Sequence, residues 1–333
     1  MNRHSRLDED DVRVRPGRSK SRPRTKDRPE HRDSDPATVV TVDRGRFTLI
    51  DDSGTEHYAV KARELGRKGI VVGDRVDVVG MDNSTILERD GRENFARIVR
   101  RLPRQTTLRR TADDSDPVER VIVANADQLA VVVASTNPEP RTGLIDRALI
   151  AAFDAGIPPL LIVTKTDLAP AAELRDMYSP LGLAVLEVAN KSVTPAIEGA
   201  LAGHRTVLVG HSGVGKSTLV NSLVPNAGRT TGGVNVVTGK GRHTSTSVIA
   251  LALPAGGLII DTPGIRSFGL AHVDPDRVIH AFPDLSTAAE ACPRGCSHDE
   301  PHCALDQDPK VSPARLDSLR RVLRSRAEAE SWD

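Results

Sequence analysis

Eight consecutive residues carry the strongest chemical signature in the chain. Gly210-His211-Ser212-Gly213-Val214-Gly215-Lys216-Ser217 satisfies the phosphate-loop pattern G-x-x-x-x-G-K-[ST] at every fixed position. Such glycines let backbone N–H groups wrap phosphate oxygens, and the helix that follows adds the positive end of its dipole. Gly210, Ser212, Gly213, Val214, Gly215, Lys216, Ser217 and Thr218 are therefore the expected phosphate contacts. Lys216 is expected to reach the β- and γ-phosphates and to act in catalysis, and Ser217 to ligate Mg²⁺. The run Gly210–Gly213 is not a serine-hydrolase elbow, which needs glycine where Val214 stands. Two further motifs follow apolar runs. In Asp261-Thr262-Pro263-Gly264 the acid is suited to a metal's water shell and the Gly264 N–H to a γ-phosphate. In Thr164-Lys165-Thr166-Asp167 the carboxylate can accept hydrogen bonds from guanine N1–H and N2–H₂, which adenine does not offer, and the Lys165 stem can cover the base.

The order of these motifs is unusual. The base-reading Asp167 precedes Lys216, and Asp261 comes last. A sheet can be cut and rejoined in this way because loops and termini of such domains lie close together. Circular permutation then sends the segment after Gly264 straight into a cysteine-rich tail, making a short lever from nucleotide to tail.

That tail holds all three cysteines of the chain, in Cys292-x₃-Cys296-x-His298-x₄-Cys303. Three sulfurs and an imidazole suit tetrahedral Zn²⁺ with no open position, so a structural site is expected, with His302 the alternative to His298. Between Val224 and Val248 lie five glycines. Thr244, or alternatively Thr246, is the candidate second hydroxyl on Mg²⁺. Ile265 stands where many GTPases carry a water-orienting glutamine. Slow intrinsic hydrolysis follows, with His243 the candidate to orient or activate water once a partner orders the loop.

The elements that must position these groups are legible as short runs. Leu129–Ala134, Leu160–Val163, Ala184–Val188, Val207–Val209 and Leu258–Ile260 are nearly continuous apolar stretches, separated by helix-like segments such as Leu144–Ala155 and Thr218–Leu223. This is the pattern of a doubly wound parallel α/β sheet. Upstream, Thr38–Val42, Arg46–Ile50, Glu56–Lys61, Arg75–Val79 and Thr85–Glu88 alternate with turn signals, as in a small barrel of the oligonucleotide-binding (OB) type. The helix-like Pro313–Glu330 closes the chain. The expected organisation is a disordered basic arm at 1–35, an OB-type β-barrel at 36–105, a circularly permuted nucleotide-binding domain at 106–275, and a zinc-binding domain with a C-terminal helix at 276–333.

Composition sets bounds on function. The 333 residues carry 46 Lys plus Arg against 45 Asp plus Glu, a formal net charge of +1. Nucleic-acid contact must then come from local patches. Arg13–Arg28 has eight basic residues against one acid, and Arg89–Arg110 eight arginines against two acids. Aromatic residues are 2%, which excludes extensive base stacking. No run approaches the roughly 18 apolar residues of a membrane span, and no apolar block marks a secretory signal. A cytoplasmic monomer without a membrane partner is the expectation.

With these motifs in place, the chain resembles the circularly permuted ribosome-associated GTPases, and closely the ribosome small-subunit-dependent GTPase A (RsgA/YjeQ) family. The resemblance spans about residues 36–305 and includes Ala124-Asn125-Ala126-Asp127-Gln128, Thr164–Leu168, Gly210–Leu219, Gly241–Thr246, Asp261–Gly269 and the cysteine cluster. It implies a barrel, a permuted GTPase and a zinc domain. It also implies GTP hydrolysis to GDP and phosphate, stimulated by the small ribosomal subunit and its rRNA during late subunit maturation, and driving release from the subunit. It places Ala189 and Asn190 in the guanine-backing loop, which is usually serine-rich. Thr164 stands where asparagine is usual, which lowers the expected nucleotide affinity, and each wider gap of the cysteine motif is one residue shorter than in the family.

Overall fold

The computed structural model describes residues 33–65, 69–83, 94–110, 120–224, 248–262, 270, 273, 275–280, 282–300 and 303–325. Five strands close a barrel: β1 (Asp35–Asp43), β2 (Arg46–Asp51), β3 (Glu56–Lys61), β4 (Arg75–Val79) and β5 (Ala96–Arg101). Their order is β1-β2-β3-β5-β4, and a β1–β4 pairing shuts the cylinder. Period-two alternation drives Ala37 and Val39, Phe47 and Leu49, Val76 and Val78, and Ala96 and Ile98 into its core. The β1–β2 turn has positive φ at both Arg44 (46°) and Gly45 (85°), the mirror-image turn whose twist suits a two-residue hairpin.

The fifth described strand of the barrel is one that the sequence expectation did not name. Thr85–Glu88 lies outside the described residues, and the strand beside β3 and β4 is Ala96–Arg101. Its inward Ala96 and Ile98 are masked in the sequence by Arg97, Arg100 and Arg101, so it reads as a basic run. Alternation in β1 puts Val39 in the barrel core and Val40 in the neighbouring one, and the β1–β2 register shifts just beyond, between Val39 and Thr41.

After an antiparallel pair, β6 (Thr107–Arg110) with β7 (Arg120–Ala124), the α/β unit begins. It runs β8 (Gln128–Ala134), α1 (Thr142–Asp154), β9 (Pro159–Thr164), α2 (Ala172–Tyr178), β10 (Ala184–Val188), α3 (Pro195–Leu201), β11 (Arg205–Val209), α4 (Lys216–Leu223), β12 (Ile249–Ala252) and β13 (Leu258–Asp261). The sheet order is β10-β9-β8-β11-β13-β12, and β12 continues into barrel strand β1 through Thr41↔Ile249. All neighbours in the α/β unit are parallel except β12 with β13. Strands β8 and β9 are apolar along nearly their whole length because both faces are covered. Strand order reverses between β8 and β11, which opens a crevice at the carboxyl ends of the strands.

The C-terminal part comprises α5 (Pro275–His280), α6 (Pro283–Ala289), α7 (Ala304–Gln307) and α8 (Pro313–Ser325). It shares one apolar core with α1: Leu149, Phe282, Leu285, Cys303, Leu316 and Leu319 belong to a single cluster. Arg321 of α8 lies over the Tyr178 ring, 4.7 Å from its centroid, and pairs at 3.1 Å with the buried Asp146. No helix among the described residues is long and apolar enough to cross a membrane.

Candidate functional site

The phosphate-loop residues occupy the turn between β11 and α4. A Cβ on Gly210 would stand 2.3 Å from the Val132 carbonyl oxygen of β8, so only glycine allows this approach. Gly213 and Gly215 have φ of +83° and +91°, the left-handed region glycine enters without penalty. Lys216 opens α4, and its Nζ lies 3.1 Å from Asp261 Oδ1 and donates to the Thr262 carbonyl at 3.0 Å. Asp261 Oδ1 is buried and has the ion-pair distance without an aligned hydrogen bond. A carboxylate oxygen held this way suits a cation's hydration shell. The Thr262 hydroxyl donates to the Leu208 carbonyl at 2.6 Å and pins the end of β13 to the strand feeding the loop.

Thr164–Asp167 sits at the end of β9, against the same loop. Thr164 is buried, and its hydroxyl donates to the Val214 carbonyl at 2.5 Å, with the Val133 carbonyl second at 3.3 Å. One hydroxyl proton serves one acceptor at a time, so the threonine retains a single tether to the phosphate loop. Lys165 adopts φ +60°. Its Nζ donates to the carbonyls of Asn137 and Gly213, the latter at 3.0 Å, and its own carbonyl accepts the Ser135 hydroxyl at 2.8 Å. Asp167 is exposed, and its Oδ1 accepts the Asn190 N–H at 2.8 Å. Asn190 and Lys191 take φ of 50° and 58°, which turns this amide inward. Motifs separated by up to about a hundred residues thus meet in one cleft: Thr164–Asp167, Ala189–Asn190, Gly210–Thr218 and Asp261. His243, Thr244, Thr246, Gly264 and Ile265 lie outside the described residues.

Sequence reasoning missed Ser135, Asn137 and the anchoring role of Thr262. Ser135 and Asn137 act through a hydroxyl or a carbonyl and form no motif, and Thr262 stands at a variable position of the Asp261–Gly264 motif. The rule that ligands gather beyond the carboxyl ends of parallel strands would have flagged the loop after β8.

A second cluster stands apart. The Sγ atoms of Cys292 and Cys303 are 3.6 Å apart, those of Cys296 and Cys303 3.9 Å, and His298 Nδ1 lies 3.9 Å from Cys303 Sγ. All four ligand atoms fall within 4.8 Å of one another. Metal–sulfur bonds of about 2.3 Å give tetrahedral sulfur–sulfur edges of about 3.8 Å, so the spacing fits Zn²⁺. Burial pushes the thiols of Cys296 and Cys303 up, and the Glu300 carboxylate adds to this at Cys296. A dication offsets such a shift by favouring the thiolates. His302 lies outside the described residues.

The model of the RsgA GTPase family matches residues 101–271. The small ribosomal subunit biogenesis GTPase RsgA of Pseudomonas aeruginosa (strain LESB58) is 41% identical over 258 residues, covering 74% of this chain and 75% of its own length. The protein of the same name from Pseudomonas syringae pv. syringae (strain B728a) is 41% identical over 316 residues, covering 87% and 90%. Among solved structures, YjeQ from Thermotoga maritima superposes with a TM-score of 0.62 at 23% identity, over 88% of this chain and 99% of that one. YloQ, described as a circularly permuted GTPase, superposes with a TM-score of 0.63 at 23% identity, over 91% and 98%. At that identity the two structures speak for the fold.

Proposed function

The chain belongs to the RsgA GTPase family, and on that premise we propose how its own residues carry out the work. It is a GTPase of ribosome biogenesis, it binds guanine nucleotide, and the small ribosomal subunit is its partner. The observation that carries the finer reading is the knitting of two motifs in reversed chain order. Lys165 donates to the phosphate-loop carbonyl of Gly213, so Asp167 and Lys216 address one ligand. Backbone N–H groups of residues 213–218 hold the phosphates. Lys216 leaves Asp261 to neutralise charge at the bridging and γ-phosphate oxygens, where preorganised charge contributes most. Asp167 reads guanine, backed by Ala189 and Asn190. Ser217 and Thr244 would hold Mg²⁺ with the Asp261 carboxylate assisting, and the Gly264 N–H would donate to the γ-phosphate; the ion would supply charge neutralisation. His243 positions the attacking water when the subunit orders its loop.

Cys292, Cys296, His298 and Cys303 hold one structural Zn²⁺ that staples a short segment to the shared core. The barrel, the basic arm and the zinc segment dock on rRNA of the small subunit, and hydrolysis releases them. Single-turnover hydrolysis tests this reading. The rate should rise by orders of magnitude with small subunits and hardly with large ones. Equal stimulation by free RNA sinks the docking reading. An unchanged rate for a subunit-bound His243→Ala protein removes His243 from the mechanism.

A further inference from the structure

The metal cluster has an unusual member. His298 is buried, yet its backbone lies in the left-handed region at φ +61°, which a side chain with a Cβ disfavours. Both sides of the residue are held. Its N–H donates to Cys296 Sγ at 3.4 Å, and its carbonyl accepts Arg320 Nε at 2.8 Å. Arg320 is itself fixed, because its Nη1 and Nη2 grip the two Asp306 oxygens at 2.8 and 2.9 Å. Its side chain is only 14% exposed. It projects from α8, whose Leu316, Leu319 and Val322 are buried in the core shared with α1. A planar guanidinium can satisfy a carbonyl through Nε and a carboxylate through its fork at once, which an ammonium cannot.

We propose that Arg320 is a positioning residue of the metal centre: it locks His298 in the left-handed turn that aims Nδ1 at the three sulfurs. The inference rests on the zinc reading given above. Partners that orient ligands in this way change metal affinity by about 10–100-fold when removed.

The test is zinc affinity of the full chain by competition with a chromophoric chelator, together with Co²⁺ absorption spectra. Arg320→Met should bind zinc about 10–100-fold more weakly and show altered Co²⁺ ligand-field bands. Arg320→Lys, which keeps the charge, should fall between that variant and the parent, and it carries the same comparison if the methionine variant does not fold. Arg315→Met is the control. Arg315 sits on the same helix and donates to the Pro180 carbonyl and Asp284, so its loss loosens helix docking without touching His298. It should leave zinc affinity within about twofold, because its bonds run to Pro180 and Asp284 and not to a ligand residue. Parent-like affinity and spectra in both Arg320 variants, or an equal loss in Arg315→Met, would overturn the assignment. A parent chain that takes up no zinc removes the metal reading itself, and this inference with it.

Discussion

Replacing Asp167 by asparagine tests the base-reading pocket most directly. Oδ1 of Asp167 accepts the Asn190 N–H, and an asparagine carbonyl can keep that bond, so the loop at 188–191 should stay in place. The amide NH₂ then stands where Oδ2 was and presents a donor to the donors of guanine. The charge-assisted bond to Oδ2, contributing about 1.5–3 kcal/mol, is lost, and the bond to Oδ1 falls to a neutral one of about 1 kcal/mol. The total loss of about 2–5 kcal/mol corresponds to roughly 30- to 4000-fold in Kd at about 1.4 kcal/mol per decade. Xanthine, which carries an oxo group at C2, should gain over the parent protein. Fluorescent GDP and XDP analogues titrated into both proteins give the two affinities, and a melting curve checks the loop. A variant that binds GDP within threefold of the parent, with no gain for XDP, refutes guanine reading by Asp167.

Gly73→Ala should weaken the joint between the barrel and the α/β unit. Its Cβ would meet the Ala124 carbonyl oxygen at 2.0 Å, with φ at +87°, for a loss of about 2–5 kcal/mol from backbone strain plus overpacking. Gly45→Ala, at φ +85° with open space around it, isolates the backbone part at about 1–2 kcal/mol; equal losses in denaturant titrations would contradict the steric argument. For acid sensitivity, the Arg315 guanidinium holds the Asp284 carboxyl below the ordinary carboxylate value. A depressed folded value means that this stabilisation is complete above the unfolded pKa, near 3.9, and is lost as pH falls through the folded one. The Tm gap between the parent and Asp284→Asn should stay level from about pH 7 to 5 and close below about pH 4; a gap that widens in acid has the wrong sign.

What could be read from the residues divides along physical lines. Strands β8 and β9 were visible because burial on both faces forces continuous apolar runs. Strand β5 was hidden because its outward arginines outweigh Ala96 and Ile98 in any average over the segment. The β6–β7 pair was missed because its strands are short and separated by residues 111–119. Phosphate-loop positions were legible because glycine is the only residue that tolerates φ near +90° and the 2.3 Å approach to Val132. The anchoring bonds of Thr262, Ser135 and Arg320 were not, because a hydroxyl or guanidinium that meets a backbone carbonyl leaves no pattern in sequence. The cysteine spacing left His298 and His302 open as ligands, and only the fold brings His298 Nδ1 next to the sulfurs.

Circular permutation changes what the nucleotide cleft is attached to. Register pairs place Thr41, Ile249, Asp261, Leu208 and Ala130 in one row across β1, β12, β13, β11 and β8. Adjacent strands lie about 4.8 Å apart, so the barrel's Thr41 stands two ladder steps, about 10 Å, from Asp261. Lower on the sheet the barrel meets the α/β unit again. The Ala124 N–H donates to the Val72 carbonyl at 3.0 Å, and buried Asn125 Nδ2 donates to the Gly73 carbonyl at 2.9 Å. Two attachments at different heights resist both sliding and tilting, whereas either alone would leave a hinge. The barrel is therefore held as an extension of the sheet that carries Asp261. A shift at the end of β13 must move β12 and β1 with it or break the Thr41–Ile249 pairing. On the other side, the chain beyond Asp261 re-enters the core at Leu270 and Val273, which pack with α1 and α8. One strand end thus adjoins the barrel through a hydrogen-bonded ladder and the segment with the Cys292–Cys303 cluster through the chain itself. An unpermuted order would put a terminus or an unrelated helix in one of those places.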